Sequence, residues 1–139
     1  MTDELKPDIE FRRNLARVLV VEDEPTAREA VRLFLEFRGH DVSVAATAQE
    51  ALEAAETFEP QVLVCDWQLD DGADGVHVAD NLQRKHDLAV IMVTAHRLEA
   101  LKEKVRRFAV DVSAYRRKPV SLASLAEIIE SLDYHSLRA

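Results

Sequence analysis

The feature that most constrains this chain is Val62-Leu63-Val64-Cys65-Asp66, four consecutive apolar residues that end in a carboxylate. A Val-rich run of this length, introduced by Pro60, reads as a strand buried on both faces, the kind found inside a parallel sheet. In open parallel α/β sheets, ligands and chemistry gather in the crevice beyond the carboxyl ends of the strands. Asp66 is therefore delivered to a place where sites form, and the other segments are read for what they bring to it.

Two more runs have the same character. Val18-Leu19-Val20-Val21 leads into Glu22, Asp23 and Glu24, and Leu88 to Val93 leads into Thr94. A shorter, less apolar strand over Val112 to Arg116 leads to Lys118-Pro119, and the alternating stretch Asp41 to Ala46 reads as a strand nearer the sheet edge. Helical patterns lie between them. Pro25 suits the first turn of a helix that carries Ala27, Ala30, Val31, Phe34 and Leu35 on one stripe and ends at Gly39. Leu33 and Phe37 widen that stripe beyond one core face, which predicts a deeply packed helix, with a partner-binding edge as the alternative. Thr47 to Glu50 is a capping box that opens a short Ala-rich helix to Thr57. Further helices are predicted from about Val76 to Lys85, from Arg97 to Phe108 with Leu98, Leu101, Val105 and Phe108 inward, and after Ser121 with Leu122, Leu125, Ile128, Ile129 and Leu132 inward. Strict alternation of strand and helix predicts an α/β fold, a doubly wound five-stranded parallel sheet with right-handed crossovers.

Length and charge narrow the function. A chain of 139 residues is about one domain long and can bury roughly two thirds of its unfolded surface without disulfides or a structural metal. Residues 1–16 mix acids, Pro7 and the basic group Arg12, Arg13 and, just beyond, Arg17; they read as an extension or linker, with the domain over 17–137. The single Cys excludes an intramolecular disulfide, no apolar run approaches the ~18 residues of a membrane span, and Met1 to Glu10 is too charged for a signal peptide. A cytoplasmic protein without a membrane partner is expected. The formal charge of −8 argues against direct nucleic-acid binding, which Lys and Arg mainly carry.

Four strand ends converge on one edge of such a sheet: Glu22 with Asp23, Asp66, Thr94 and Lys118. Carboxylates held together repel unless a cation offsets them. Hard oxygen ligands without a His or Cys partner suit Mg²⁺, which binds through one or two carboxylates plus phosphate oxygens. A carboxylate can itself attack phosphorus. Phosphoryl transfer then asks for positioning and neutralisation of the equatorial oxygens, for which Lys118 supplies a fixed cation and Thr94 a hydroxyl.

In this order and at these strand ends, Val-Val-Glu22-Asp23-Glu24-Pro, Pro60 six residues before Asp66, Val-Thr94-Ala95 and Tyr115-x-x-Lys118-Pro119 make the chain resemble a response regulator receiver domain of two-component signal transduction, over roughly Arg17 to Leu137. The resemblance implies a flavodoxin-like (βα)5 fold with strand order 2-1-3-4-5. It implies that Asp66 accepts a phosphoryl group from a histidine kinase or a histidine phosphotransfer protein, and that Glu22, Asp23, Asp66 and the Gln68 backbone carbonyl hold Mg²⁺. Thr94 and Lys118 would contact the attached phosphoryl group. Tyr115 would switch rotamer with Thr94 and remodel the face made by the fourth helix, fifth strand and fifth helix, which is also the candidate homodimer surface. Gln68 and His96 would tune phosphoryl lifetime, and the Lys118–Pro119 peptide would be cis. Enzyme activity toward a separate substrate is not implied, and the downstream target is unreadable.

Three departures stand out. Glu22 replaces the more usual Asp and is longer by one methylene. Asp70 stands where the family pattern carries Pro, in a loop that is longer and more acidic than usual. Asp111-Val112 replaces a small Gly-Ala turn before the fifth strand. These leave open a degenerate receiver that acts as a phosphorylation-independent interaction module, although Asp66, Thr94 and Lys118 argue against it. A haloacid dehalogenase-type phosphatase needs a second Asp two residues after the nucleophile, where this chain has Gln68. Elsewhere the plain readings serve: Cys65 as a core residue, Asp70, Asp71 and Asp74 as turn formers, and His40, His77, His86, His96 and His135 as surface residues.

Overall fold

The structure, a computed structural model, describes residues 15–132. The expected extension up to residue 14, the domain end at Leu137, and His135 lie outside the described residues. Strands and helices alternate throughout: β1 (Arg17–Val21), α1 (Pro25–Phe37), β2 (Asp41–Ala45), α2 (Ala48–Phe58), β3 (Val62–Asp66), α3 (Gly75–Lys85), β4 (Ala89–Thr94), α4 (Leu98–Phe108), β5 (Val112–Arg117) and α5 (Leu122–Ser131). The five strands form one parallel sheet in the order β2-β1-β3-β4-β5.

Burial follows from this order. β3 and β4 are buried along their whole length and β1 nearly so, as their continuous apolar runs require, whereas the edge strands β2 and β5 are only half-buried. Side chains alternate across the pleat. Leu19, Val21, Leu63, Cys65, Val90 and Met92 pack with Ala51, Ala55, Ala79, Leu82, Leu101 and Val105 of α2, α3 and α4. Val18, Val20, Val62, Val64, Ile91 and Val93 pack on the opposite face with Leu35 of α1 and Leu125, Ala126 and Ile129 of α5. Each apolar strand thus serves two cores, and the sheet is doubly wound.

Helix ends obey the signals in the chain. Glu24 caps α1 by accepting from the N–H groups of Thr26 and Ala27, ahead of Pro25. Thr47 Oγ1 accepts from Glu50 N–H at 3.1 Å, and Glu50 Oε1 accepts from Ala46 N–H at 2.8 Å. Ser121 caps α5, and Gly39 takes φ 100° just past α1, a left-handed conformation that glycine adopts without a steric penalty.

Two expectations are corrected. Helix α1 is not deeply packed: Leu35 alone on it is fully buried, while Leu33 and Phe37 are 55% and 85% exposed. At about 100° per residue both lie roughly 200° from Leu35, on the far side of the helix. The sheet-facing side of α1 is itself loosely filled, because small residues such as Ala27 leave a groove of about 610 Å³ against Val31, Val64, Val93 and Leu125. His40 is not a surface residue either. It is buried, its Nδ1 accepts from Ala16 N–H at 3.1 Å, and its Nε2 lies 2.9 Å from Glu130 Oε2, a carboxylate that also pairs with Arg38. The turn from α1 into β2 tucks the ring beneath the sheet, where it ties α5 to the start of β1.

The register sets up the carboxyl edge. Val21 lies beside Cys65, so Glu22 follows β1 where Asp66 ends β3. Asp66 pairs with Val93, one residue before Thr94. Between β4 and β5 the register shifts: Val90 pairs with Val112 but Ile91 with Ala114, leaving Ser113 as an extra residue. The bulge places Thr94 beside Arg117, adjacent to Lys118.

Candidate functional site

The site lies at the topological switch point, above the ends of β1 and β3, where the order of strands reverses. One carboxylate oxygen from each of Glu22, Asp23 and Asp66 lies within 4.8 Å of the other two. Glu22 and Asp66 are buried, and Asp23 is half-buried. Lys118 reaches in from the end of β5, its Nζ 2.7 Å from Asp66 Oδ2 and 2.7 Å from Glu22 Oε1.

The local electrostatics are divided. Burial pushes Glu22 above the ordinary carboxylate range, outweighing its hydrogen bonds from Lys118 and from Glu24 N–H. Burial also acts to raise Asp23, but the hydrogen bond from Asp70 N–H, with smaller contributions from the Glu22 and Asp70 side chains, holds it low. Lys118 loses solvation, yet its bonds to Asp66 and Glu22 more than compensate and raise it, so it stays charged. The backbone bringing these groups together is itself held: Arg28, from the first turns of α1, donates from Nη1 to the carbonyls of Glu22 at 3.0 Å and Asp23 at 3.3 Å.

Thr94 is fully buried at the end of β4, its Oγ1 accepting from His96 N–H at 2.8 Å while its carbonyl accepts from Lys118 N–H at 2.8 Å. The Lys118–Pro119 peptide is cis, as the resemblance implied. His96 is exposed and meets the Trp67 ring edge-on at 6.1 Å, so it stands beside the residue next to Asp66. Gln68 is exposed at the start of the loop after β3, bridged to Asp74. Tyr115 is half-buried on β5 against the α2–α3–α4 core, with Lys102 Nζ 5.3 Å from its ring centre and its phenol raised by burial.

The loop from Gln68 to Asp74 folds back on itself through Leu69 N–H to Ala73 O at 3.2 Å and Gly72 N–H to Leu69 O at 3.0 Å. Asp71 acts as the expected turn former, accepting from Ala73 N–H, and Asp74 caps α3 while pairing with Lys104 of α4 at 3.2 Å. Asp70 does something else. Its N–H binds the Asp23 carboxylate, and the nearby Asp23 raises the Asp70 carboxyl above its ordinary range. Gly75 closes the loop against the phosphoacceptor candidate: a Cβ there would sit 1.9 Å from the Asp66 carbonyl oxygen. The sequence pattern gives Asp70 only a turn-forming role and gives Arg28 and Gly75 none. The departure from Pro marked Asp70 and the scarcity of glycine marked Gly75, whereas nothing in the pattern singled out Arg28.

The donor set fits a hard divalent cation: among the described residues, three carboxylates converge without a nitrogen or sulfur ligand, and Lys118 pairs with two of them. Cys65, next to Asp66, is fully buried with its thiol pushed up by burial, so it stays protonated as a core residue. A doubly wound sheet with an acidic pocket and a lysine at its switch point defines a signalling receiver, and the comparisons agree. The chain belongs to the response regulator receiver domain family, whose model matches residues 18–130. It is 37% identical over 117 residues to the positive alginate biosynthesis regulatory protein of Pseudomonas aeruginosa, covering 81% of this chain and 45% of that protein. It is 31% identical to the transcriptional regulatory protein TrcR of Mycobacterium tuberculosis, covering 84% of this chain and 44% of that one. The chain therefore spans less than half the length of these two relatives. Among solved structures, the signal receiver domain of a modulated diguanylate cyclase from Desulfovibrio desulfuricans superposes with TM-score 0.76 at 30% identity, over 89% of this chain and 97% of that one. A receiver domain protein from Methanospirillum hungatei gives the same TM-score, 0.76, at 28% identity over 89% of this chain and 97% of that one. No helix among the described residues is long and apolar enough to cross a membrane.

Proposed function

We propose that this domain is a phosphoaccepting receiver, phosphorylated on Asp66 by a histidine kinase or a histidine phosphotransfer protein. The observation that carries the reading is the placement of Lys118 against Asp66 within a three-carboxylate cluster. An Asp66 oxygen attacks phosphorus, the phosphorus–nitrogen bond of the donor phosphohistidine breaks, and the departing imidazole nitrogen takes up a proton. Mg²⁺ held by Glu22, Asp23, Asp66 and the Gln68 carbonyl would neutralise the phosphoryl oxygens during transfer. Lys118, already paired with Asp66, exchanges a carboxylate oxygen for a phosphoryl oxygen and stays charged throughout. Thr94 gives up its turn bond with His96 N–H to donate its hydroxyl to the new group, and Tyr115 follows it inward. That movement remodels the α4–β5–α5 face, which is the surface for a downstream target or a second copy. Gln68 and His96 flank the entry of water to Asp66 and set how long the phosphoryl group survives.

A cytoplasmic setting goes with this chemistry, because the phosphohistidine donors of two-component systems act there. One relative is named as a transcriptional regulator, so the reading of no nucleic-acid partner, drawn from net charge, is narrowed to the receiver domain itself. Nothing in the geometry favours the degenerate interaction module, since every group the chemistry needs is retained. Trp67, the only Trp, adjoins Asp66 and reports on the site. Its fluorescence responds first to Mg²⁺ and then to acetyl phosphate; a flat response to both contradicts the reading.

A further inference from the structure

The β3–α3 loop adds something to the acidic pocket that the family pattern does not contain. Where that pattern has Pro, a residue with neither a backbone donor nor a charge, this chain has Asp70. Its N–H donates to Asp23 Oδ2, which sets the Asp70 carboxyl beside the Asp23 charge. The loop that presents it is internally tied through the Gln68–Asp74 bridge and the Asp71 turn, and its far end is anchored to α4 by Asp74 and Lys104. The Asp70 backbone is therefore held at the rim of the cluster, with its exposed carboxyl carried beside Asp23.

We propose that Asp70 is a positioning residue of the cation site, orienting Asp23 through its N–H and adding a fourth negative charge that strengthens divalent-cation binding. The proposal rests on the reading of Glu22, Asp23 and Asp66 as the Mg²⁺ site. Asp70 is not one of the three convergent carboxylates, so it acts through Asp23 and through its field. With the cation absent, four carboxylates face one lysine, and Asp23 and Asp70 repel; a divalent ion turns that repulsion into attraction. At a separation of several Å, in the high effective dielectric of an exposed rim, one extra negative charge facing a doubly charged ion changes affinity by about three- to tenfold. The neighbouring Asp71 is spent on its own turn, accepting from Ala73 N–H.

Calorimetric titration of the protein with Mg²⁺, at low ionic strength, tests this. Asp70→Asn keeps the backbone N–H and the size of the side chain and removes the charge; the dissociation constant rises about fivefold. Asp71→Asn removes an equal charge one residue away, keeps the turn bond, and changes affinity less than twofold. Asp70→Glu restores the charge and recovers affinity to within about twofold of wild type. Equal affinities for wild type, Asp70→Asn and Asp71→Asn overturn the assignment of Asp70 while leaving the metal site intact. An equal weakening by Asp70→Asn and Asp71→Asn assigns the effect to loop charge in general, and Asp70→Glu binding as weakly as Asp70→Asn assigns it to loop structure; either overturns the proposal. A wild-type chain that binds no Mg²⁺ overturns both the proposal and the reading beneath it.

Discussion

Lys118 and Asp66, separated by 52 residues in the chain, form an ion pair 2.7 Å long at the mouth of the switch-point crevice, and the same ammonium reaches Glu22 at 2.7 Å. Lys118 is thus the resident counter-ion of a pocket built to hold a stronger one. Lys118→Met leaves two buried carboxylates without their counter-ion, Asp66 with no hydrogen-bond donor on its Oδ2 among the described residues and Glu22 with only the Glu24 N–H, at a cost of about 1–3 kcal/mol in the absence of divalent ions. Saturating Mg²⁺ supplies the missing positive charge and recovers most of that loss. Urea denaturation with and without Mg²⁺ measures both values; an equal deficit in the two conditions contradicts this account of the pocket.

Glu22 predicts a pH dependence of definite sign. Burial holds its folded-state pKa above the unfolded glutamate value of about 4.3. Between those two values the folded protein binds the proton that the unfolded chain has released, so this group's contribution to stability falls as pH rises through the window. The proton also competes with Mg²⁺, so affinity for the ion weakens as pH falls through the same window. Asp23, held low by its hydrogen bonds, contributes a slope of the opposite sign that is confined to the acid end of that window. Glu22→Gln removes the Glu22 component of the stability–pH curve and weakens Mg²⁺ binding at neutral pH. Paired denaturation and metal titrations between pH 4.5 and 7 check both effects, a window set by the reference value for glutamate.

Gly75 and Gly72 separate closeness from conformation. A Cβ at Gly75 meets the Asp66 carbonyl oxygen at 1.9 Å and Cys65 Sγ at 3.0 Å, so the backbone of the phosphoacceptor must shift. Gly75→Ala therefore costs about 1–3 kcal/mol and reduces Asp66 phosphorylation as well. Gly72 has φ +84° with nothing within 4 Å of its Cβ position, so Gly72→Ala strains the turn by about 1 kcal/mol and leaves Asp66 in place. Thermal melts combined with phosphodonor labelling distinguish the two. Equal labelling by both variants contradicts the role given to Gly75.

The strands and their carboxyl ends were legible because β1, β3 and β4 are buried on both faces and so carry unbroken apolar runs, each ending in a residue of the site. The helix starts at Glu24-Pro25, Thr47 and Ser121 were legible for the same kind of reason, since each cap is a local rule. What stayed hidden depends on tertiary geometry. The pattern of α1 counts Leu33 and Phe37 as apolar but does not show that they lie opposite Leu35, away from the sheet. His40 looked like a surface residue because its partners, Ala16 and Glu130, lie far away in sequence. Arg28 and Asp70 act through backbone and carboxylate contacts across the β1–α1 and β3–α3 loops, for which no spacing rule exists. The bulge at Ser113, which sets Thr94 beside Arg117, likewise leaves no mark in a strand of mixed burial.

The central claim is that Asp66, held by Lys118, is a nucleophile toward phosphorus. It is tested most directly by incubating the protein with acetyl phosphate and Mg²⁺ and measuring covalent phosphate by intact-protein mass spectrometry, with Asp66→Asn and a chelator as controls. The account predicts one phosphoryl group per chain, lost in Asp66→Asn, lost when Mg²⁺ is chelated, and labile to hydroxylamine as an acyl phosphate must be. A wild-type chain that stays unmodified, or one labelled equally well as Asp66→Asn, would contradict it.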